Sequence, residues 1–231
     1  MTNVKTCYMC DKPATSREHA PPKCLFPKAA HSLNGVNRRL QMIVVPSCDQ
    51  HNGDKSADDA YLMQILPMSL GLNAVADHYF NTKVAGLVGK DGKLMKHLRD
   101  TAVPVSVHDT EADTWFQTLA FQVDQERIVG GFEMNARAIY FYHHGTKLQA
   151  PFKTFTNFSL IEGRPKLNDL VDSMFTMAQG MLDEVGAVPL GHNPEVFSYR
   201  IHREGDVELL EFTFYGSSKV LFCIDHPAAA A

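Results

Sequence analysis

Long apolar runs are missing from this chain of 231 residues. No stretch approaches the ~20 apolar residues that a membrane-spanning helix requires. The opening Met1-Thr2-Asn3-Val4-Lys5 also lacks the apolar core of a signal peptide. The expectation is a cytoplasmic protein with no membrane partner. Cysteine is scarce, with five residues in all, and in a reducing compartment these serve as ligands or buried thiols rather than disulfides. There is no internal repeat and no low-complexity linker, and Pro227 followed by four alanines reads as a tail outside the fold. Hydrophobic residues at 45% and charged residues at 21% exclude a disordered chain and allow one large domain, or a small one joined to a medium one.

Strong positive charge is lacking too, since the formal net charge is −4. Its distribution is uneven. Residues 1–57 carry eight basic against four acidic groups, a net +4, while the remainder carries a net −8. A basic segment beside an acidic body suits a module that docks on phosphates, although small zinc modules are also lysine-rich for solubility alone.

That basic segment holds the most informative pattern in the chain. Cys7-Tyr8-Met9-Cys10 and Cys48-Asp49-Gln50-His51 form two donor pairs at equal separation. Each pair can turn back on itself and present both donors to one tetrahedral ion, which for thiolate and imidazole ligands means Zn2+. Cys24, in the loop between the pairs, competes with His51 for the fourth position. The repeated spacing favours His51 and leaves Cys24 as a small buried hydrophobe beside Leu25 and Phe26. Cys223 reads as strand core. A redox role for Cys7 and Cys10 is disfavoured, because a redox Cys-x-x-Cys opens a helix after a strand and needs no second pair.

Between the two pairs lies Glu18-His19-Ala20-Pro21-Pro22, and Asn52 follows His51 directly. Phosphodiester hydrolysis needs a base for water, a divalent cation for the developing charge, and groups that hold the phosphate. His19 suits the base, because imidazole titrates near neutral pH. Glu18 and Asn52 are hard oxygen donors suited to Mg2+ or Mn2+. Arg17, Lys23 and Lys55 are candidate phosphate clamps. Neighbouring residues on a strand face opposite ways, so Glu18 and His19 can flank one phosphate only where the backbone is locally distorted.

The run Cys-x2-Cys, then Glu-His-Ala-Pro-Pro, then Val-Pro-Ser-Cys-x2-His-Asn-Gly-Asp-Lys resembles the HNH endonuclease family. It is most similar to the zinc-knuckle members with a ββα-metal motif, of the endonuclease VII and McrA type, and the match covers residues 7–56. The resemblance implies structural zinc on Cys7, Cys10, Cys48 and His51, catalytic Mg2+ on Glu18 and Asn52, and His19 activating water to cleave nucleic acid, DNA before RNA. The chain departs from the family in two places. His51 stands where cysteine is usual, and the family's final histidine has no counterpart, leaving Asp58, Asp59 or Asn52 for that role. The alternative function is a non-catalytic treble-clef zinc module that binds nucleic acid or a protein partner.

Periodicity and turn residues predict the remaining organisation. A strand over 41–46 delivers the second ligand pair. Helices follow from Ser56, over 73–87 and over 94–99, then a strand over 115–121. Helices over 125–143 and 167–185 alternate with strands over 152–161, 197–201 and 208–224, the last turning at Glu204-Gly205-Asp206 and Tyr215-Gly216-Ser217-Ser218. The fold class is α+β: a zinc-binding module at 1–60, then helices and an α+β region with antiparallel strands at 61–231, through which a homodimer could form. His143 and His144 are expected to cap the C-terminus of their helix rather than bind metal. Met174, Met177 and Met181 are expected in the core, and Phe155 and Phe158 are expected to pack rather than stack on bases.

Overall fold

The computed structural model describes residues 5–53, 55–109, 112–161 and 163–226. The opening residues 1–4 and the tail from Pro227 lie outside the described residues.

The first module is a two-stranded pair followed by helices. β1 (Ser16–His19) and β2 (Val44–Ser47) run antiparallel, with Glu18 opposite Val45 and His19 opposite Val44. Pro21, Pro22 and Pro27 lack the N–H that a ladder needs, so the chain leaves β1 in short 3-10 turns rather than a tight hairpin. The sequence places a strand over 41–46; the structure starts it at Val44 and carries it to Ser47, immediately before Cys48. From there α1 (Asp49–Gly53) and α2 (Ser56–Ile65) follow, and Asp58 and Asp59 in the first turn of α2 complement its positive end.

α3 (Ala74–Tyr79) begins on Asn73, whose side chain accepts from the N–H groups of Val75 and Ala76. It passes through a π-helical turn at Phe80–Val84 into α4 (Ala85–Lys90). α5 (Gly92–Thr101) is capped by Asp91, which accepts from Leu94 N–H. β3 (Val103–Asp109) and β4 (Thr114–Ala120) then form an exposed ribbon. β3 is not signalled in the sequence, because Pro104 argues against a strand interior and is tolerated only on an edge.

The rest is a three-layer sandwich. α6 (Gln125–His144) and α7 (Pro165–Glu184) lie on opposite faces of a five-stranded antiparallel sheet. The sheet is built from β5 (Phe152–Thr156), β6 (Leu190–Asn193), β7 (Phe197–Glu204), β8 (Val207–Phe214) and β9 (Ser218–Asp225), in the order β5-β9-β8-β7-β6. Strand alternation divides the core. Leu210, Phe212, Phe214, Val220, Phe222 and Ile224 join Ile128, Phe132, Ala136 and Ile139 of α6. Leu209 and Leu221, on the opposite face, meet Phe175, Ala178 and Leu182 of α7.

Three expectations for this half meet different fates. Phe158 packs edge-on against Phe132 at 5.8 Å, and Phe155 joins the α7 core, as anticipated. The C-cap of α6 is Gly145 in the left-handed region (φ 71°), not a histidine; His144 instead meets the buried Glu208 at 2.7 Å. The methionines of α7 are not core. Met177 is 63% exposed and Met181 41%, because the sheet takes the neighbouring face of the helix.

One apolar core crosses the boundary expected near residue 60, which falls inside α2. It runs from Cys7, Tyr8 and Leu25 through Leu62 and Tyr79 to Phe214 and Tyr215. The Tyr79 hydroxyl donates to the Cys24 carbonyl at 2.7 Å, and the Tyr215 hydroxyl to the Leu25 carbonyl at 2.6 Å. Arg38 is ion-paired with Glu195. The first module is therefore held against the second half by buried polar contacts as well as by packing. No helix among the described residues is long and apolar enough to cross a membrane.

Candidate metal centre and functional site

Two segments far apart in sequence build the metal centre. The first is a small loop closed by an isolated bridge between Thr6 and Pro13, with Cys7 N–H donating to the Lys12 carbonyl at 3.0 Å. Pro46 has no N–H to give to β1, and its carbonyl accepts from Tyr8 N–H at 2.9 Å, which ties the loop to β2. The second segment is Cys48 at the end of β2 with His51 on α1. Thr15 Oγ1, donating to Asp49 at 2.6 Å, fastens the start of α1 to the chain entering β1.

The donor atoms of Cys7, Cys10, Cys48 and His51 lie within 4.8 Å of one another. Cys10 Sγ and Cys48 Sγ are 3.8 Å apart, and His51 Nδ1 stands 3.4 Å from the sulfurs of both Cys7 and Cys48. A tetrahedral zinc with Zn–S bonds of about 2.3 Å has S···S edges of about 3.8 Å, so the spacing fits such an ion. Burial pushes the Cys7 thiol up, but N–H groups of Met9, Cys48 and Cys10 and the His51 ring more than offset it, and the thiol settles at about 6. The Cys7 thiol is thus favoured as a thiolate ligand, whereas at Cys10 a backbone bond with Lys12 is outweighed by desolvation and the neighbouring Cys48 and Cys7 thiols, which hold its pKa up. The cluster could bind an ion such as zinc. Cys24 is not part of it: its thiol donates to the Asp59 carbonyl at 3.3 Å, and burial pushes it up to about 11.

β1 is undistorted, and its alternation separates Glu18 from His19. Arg17 and His19 share the outer face, exposed and half-buried respectively, while Glu18 points inward and is 4% exposed. There Glu18 Oε1 meets Lys55 Nζ at 3.0 Å, and Lys55 also reaches Asp59 at 3.7 Å. Lys55 is 1% exposed. Two expectations are thereby corrected. Lys55 does not clamp phosphate, since its ammonium is sealed in the core as the counter-charge of Glu18. The residues around Glu18 also do not fit Mg2+, because Oε1 of its carboxylate is already paired with a buried ammonium. Among the described residues, the only cluster of three or more Cys, His, Asp or Glu donors is the Cys–His set. Burial, relieved in part by Lys55 and aggravated by Glu18, pushes Asp59 up to about 6.

His19 has a different environment. Burial first, then the cations of Lys23, Arg17, Arg39 and Lys55, hold its pKa below the ordinary 6.5, so the ring is neutral at neutral pH. Arg39 is the member of this group that the sequence reading missed. It stands half-buried with Nε donating to the Phe26 carbonyl at 2.7 Å. The Arg38-Arg39 doublet is visible in the sequence, but only the fold shows that Arg38 is taken by Glu195 and that the charge of Arg39 acts on His19. Asn52 is half-buried on α1, which packs against β1; its N–H donates to the Cys48 carbonyl at 3.0 Å.

The arrangement offers a neutral, partly accessible imidazole among Arg17, Lys23 and Arg39, on a strand anchored to a four-donor cluster. No family model, no curated protein and no solved structure matches the chain, so its reading rests on these residues.

Proposed function

We propose that this protein is an HNH-type endonuclease that hydrolyses phosphodiester bonds of nucleic acid, with DNA as the first substrate to test. The single observation that carries the reading is the placement of His19: a neutral imidazole on the outer face of β1, under the charges of Arg17, Lys23 and Arg39, on the strand whose partner β2 runs into Cys48. The antiparallel pair β1–β2 followed by α1 agrees with a ββα arrangement.

Zinc, when bound, would be held by Cys7, Cys10, Cys48 and His51. Four protein donors leave it no open position, so its contribution is to order the loop rather than to activate water. His19 takes a proton from water as the water oxygen attacks phosphorus. The P–O ester bond then breaks and the departing oxygen takes its proton from solvent. Arg17, Lys23 and Arg39 hold the phosphoryl oxygens as their charge grows. No step is assigned to Mg2+, since Glu18 is engaged by Lys55.

That same ion pair favours a second reading, a zinc module that binds nucleic acid without cutting it. Plasmid and single-stranded DNA cleavage by the zinc-loaded protein, with and without added Mg2+ or Mn2+, separates the two. His19→Ala is expected to slow cleavage by roughly 10²–10⁴-fold while leaving zinc content and circular dichroism unchanged. Equal cleavage by the mutant would sink the mechanism. Binding without cleavage on every DNA and RNA substrate would establish the second reading.

The pH profile adds a check. Cleavage requires neutral His19, whose pKa lies below 6.5, so activity is expected to rise with pH through a midpoint under that value and stay level above it. A midpoint at or above the ordinary histidine value would show that neither burial nor the cations depress this ring as the fold implies.

A further inference from the structure

α7 has two apolar faces. Val171, Phe175, Ala178 and Leu182 pack on the sheet. The second face is Leu167, Leu170, Met174, Met177 and Met181, about a quarter-turn around the helix. Its residues recur at alternating steps of three and four, the spacing of the a and d positions along a helix–helix seam. Leu170 is 55% exposed and Met177 63%, and nothing among the described residues covers them.

We propose that this face pairs antiparallel with the same helix of a second copy of the chain. The charges at the helix ends select that occupant. Arg164 and Lys166 lie at the N-terminal end of α7, and Asp183 and Glu184 at its C-terminal end. The first turn holds no acid and the last turn no base, the reverse of what the helix dipole favours. Asp183 is held by Arg200 within the chain, whereas Lys166 and Glu184 have no ion-pair partner among the described residues. A two-fold antiparallel pair brings Arg164 and Lys166 of each copy to Glu184 of the other, so that each helix end meets the charge its own sequence denies it. A parallel pair would set like charges together. Methionine suits such a seam, because its flexible thioether adapts to a facing side chain.

Sedimentation equilibrium of the full, zinc-loaded chain across a dilution series tests this. The expected mass is twice that of the chain. Met177→Glu and, separately, Leu170→Glu are expected to weaken self-association about tenfold or more. Both sites are exposed in the single chain, so circular dichroism and thermal unfolding at high dilution should match the wild type. Glu184→Lys is also expected to weaken association, and adding Lys166→Glu to it should restore the dimer by exchanging the two charges. A wild type that is monomeric at every concentration would overturn the proposal. So would a dimer indifferent to Met177→Glu, or a charge exchange that restores nothing.

Discussion

Cys48→Ser is expected to take the bound zinc from one equivalent to none and to lower the melting temperature steeply. Cys48 closes the centre from the end of β2, and Cys7, Tyr8 and Cys48 all belong to the main apolar core. Losing the ion therefore disturbs more than a surface loop. Structural zinc supplies an apparent ~10–16 kcal/mol in zinc-finger peptides at neutral pH. If only ~4 kcal/mol is lost here, a chain of this size would melt about 8–16 °C lower. His51→Ala is expected to behave similarly. Cys24→Ala is expected to keep its zinc, because that thiol is directed at the Asp59 carbonyl. Metal content by mass spectrometry, read beside calorimetry, decides the ligand set. Zinc kept without His51 and lost without Cys24 would overturn it.

Lys55→Met should destabilise the fold by roughly 3–5 kcal/mol, the usual cost of leaving a buried charge without its partner. Lys55 stands between Glu18 and Asp59, and Tyr8 Oη, Lys55 Nζ and Asp59 Oδ1 are all buried without a hydrogen-bond partner. The single substitution therefore exposes Glu18 and Asp59 to each other in a poorly solvated place. Adding Glu18→Gln should recover most of the loss, since replacing both members of a buried pair is far milder than breaking it. Denaturant midpoints of the two variants measure this. A Lys55→Met midpoint equal to wild type would mean that the pair is not closed in solution. A pH dependence follows from Asp59. Its folded pKa of about 6 lies above its unfolded 3.8, so the folded state holds the proton more tightly. The stability this contributes is fully present below about 3.8 and is lost as pH rises through about 6. Asp59→Asn should remove that slope between the two values.

The buried pair also bears on function. Glu18 and Lys55 hold β1 to the start of α2 from within, while His19 is presented on the outer face of the same strand. Breaking the pair should thus reduce any His19-dependent cleavage through loss of fold. His19→Ala should slow cleavage by the same roughly 10²–10⁴-fold with the fold intact. Stability and activity measured on the same samples keep these outcomes apart.

Local spacing and chemistry carry the features that the sequence makes legible. Equal spacing within the pairs Cys7–Cys10 and Cys48–His51 picked out the four residues that cluster, because donors separated by two residues can turn to one point. Helical periodicity located α2, α6 and α7, and turn residues located the β7–β8–β9 meander, because these patterns arise within a few residues of one another. Alternation along a strand already warned that Glu18 and His19 would part. What each side meets follows from packing between distant segments. That Glu18 finds Lys55, that Arg38 pairs with Glu195 while Arg39 bonds the Phe26 carbonyl, and that the sheet buries Phe175 and Leu182 instead of the methionines all depend on which elements pack together. Those choices are made by long-range contacts across the shared core, and no residue's own neighbourhood in sequence encodes them.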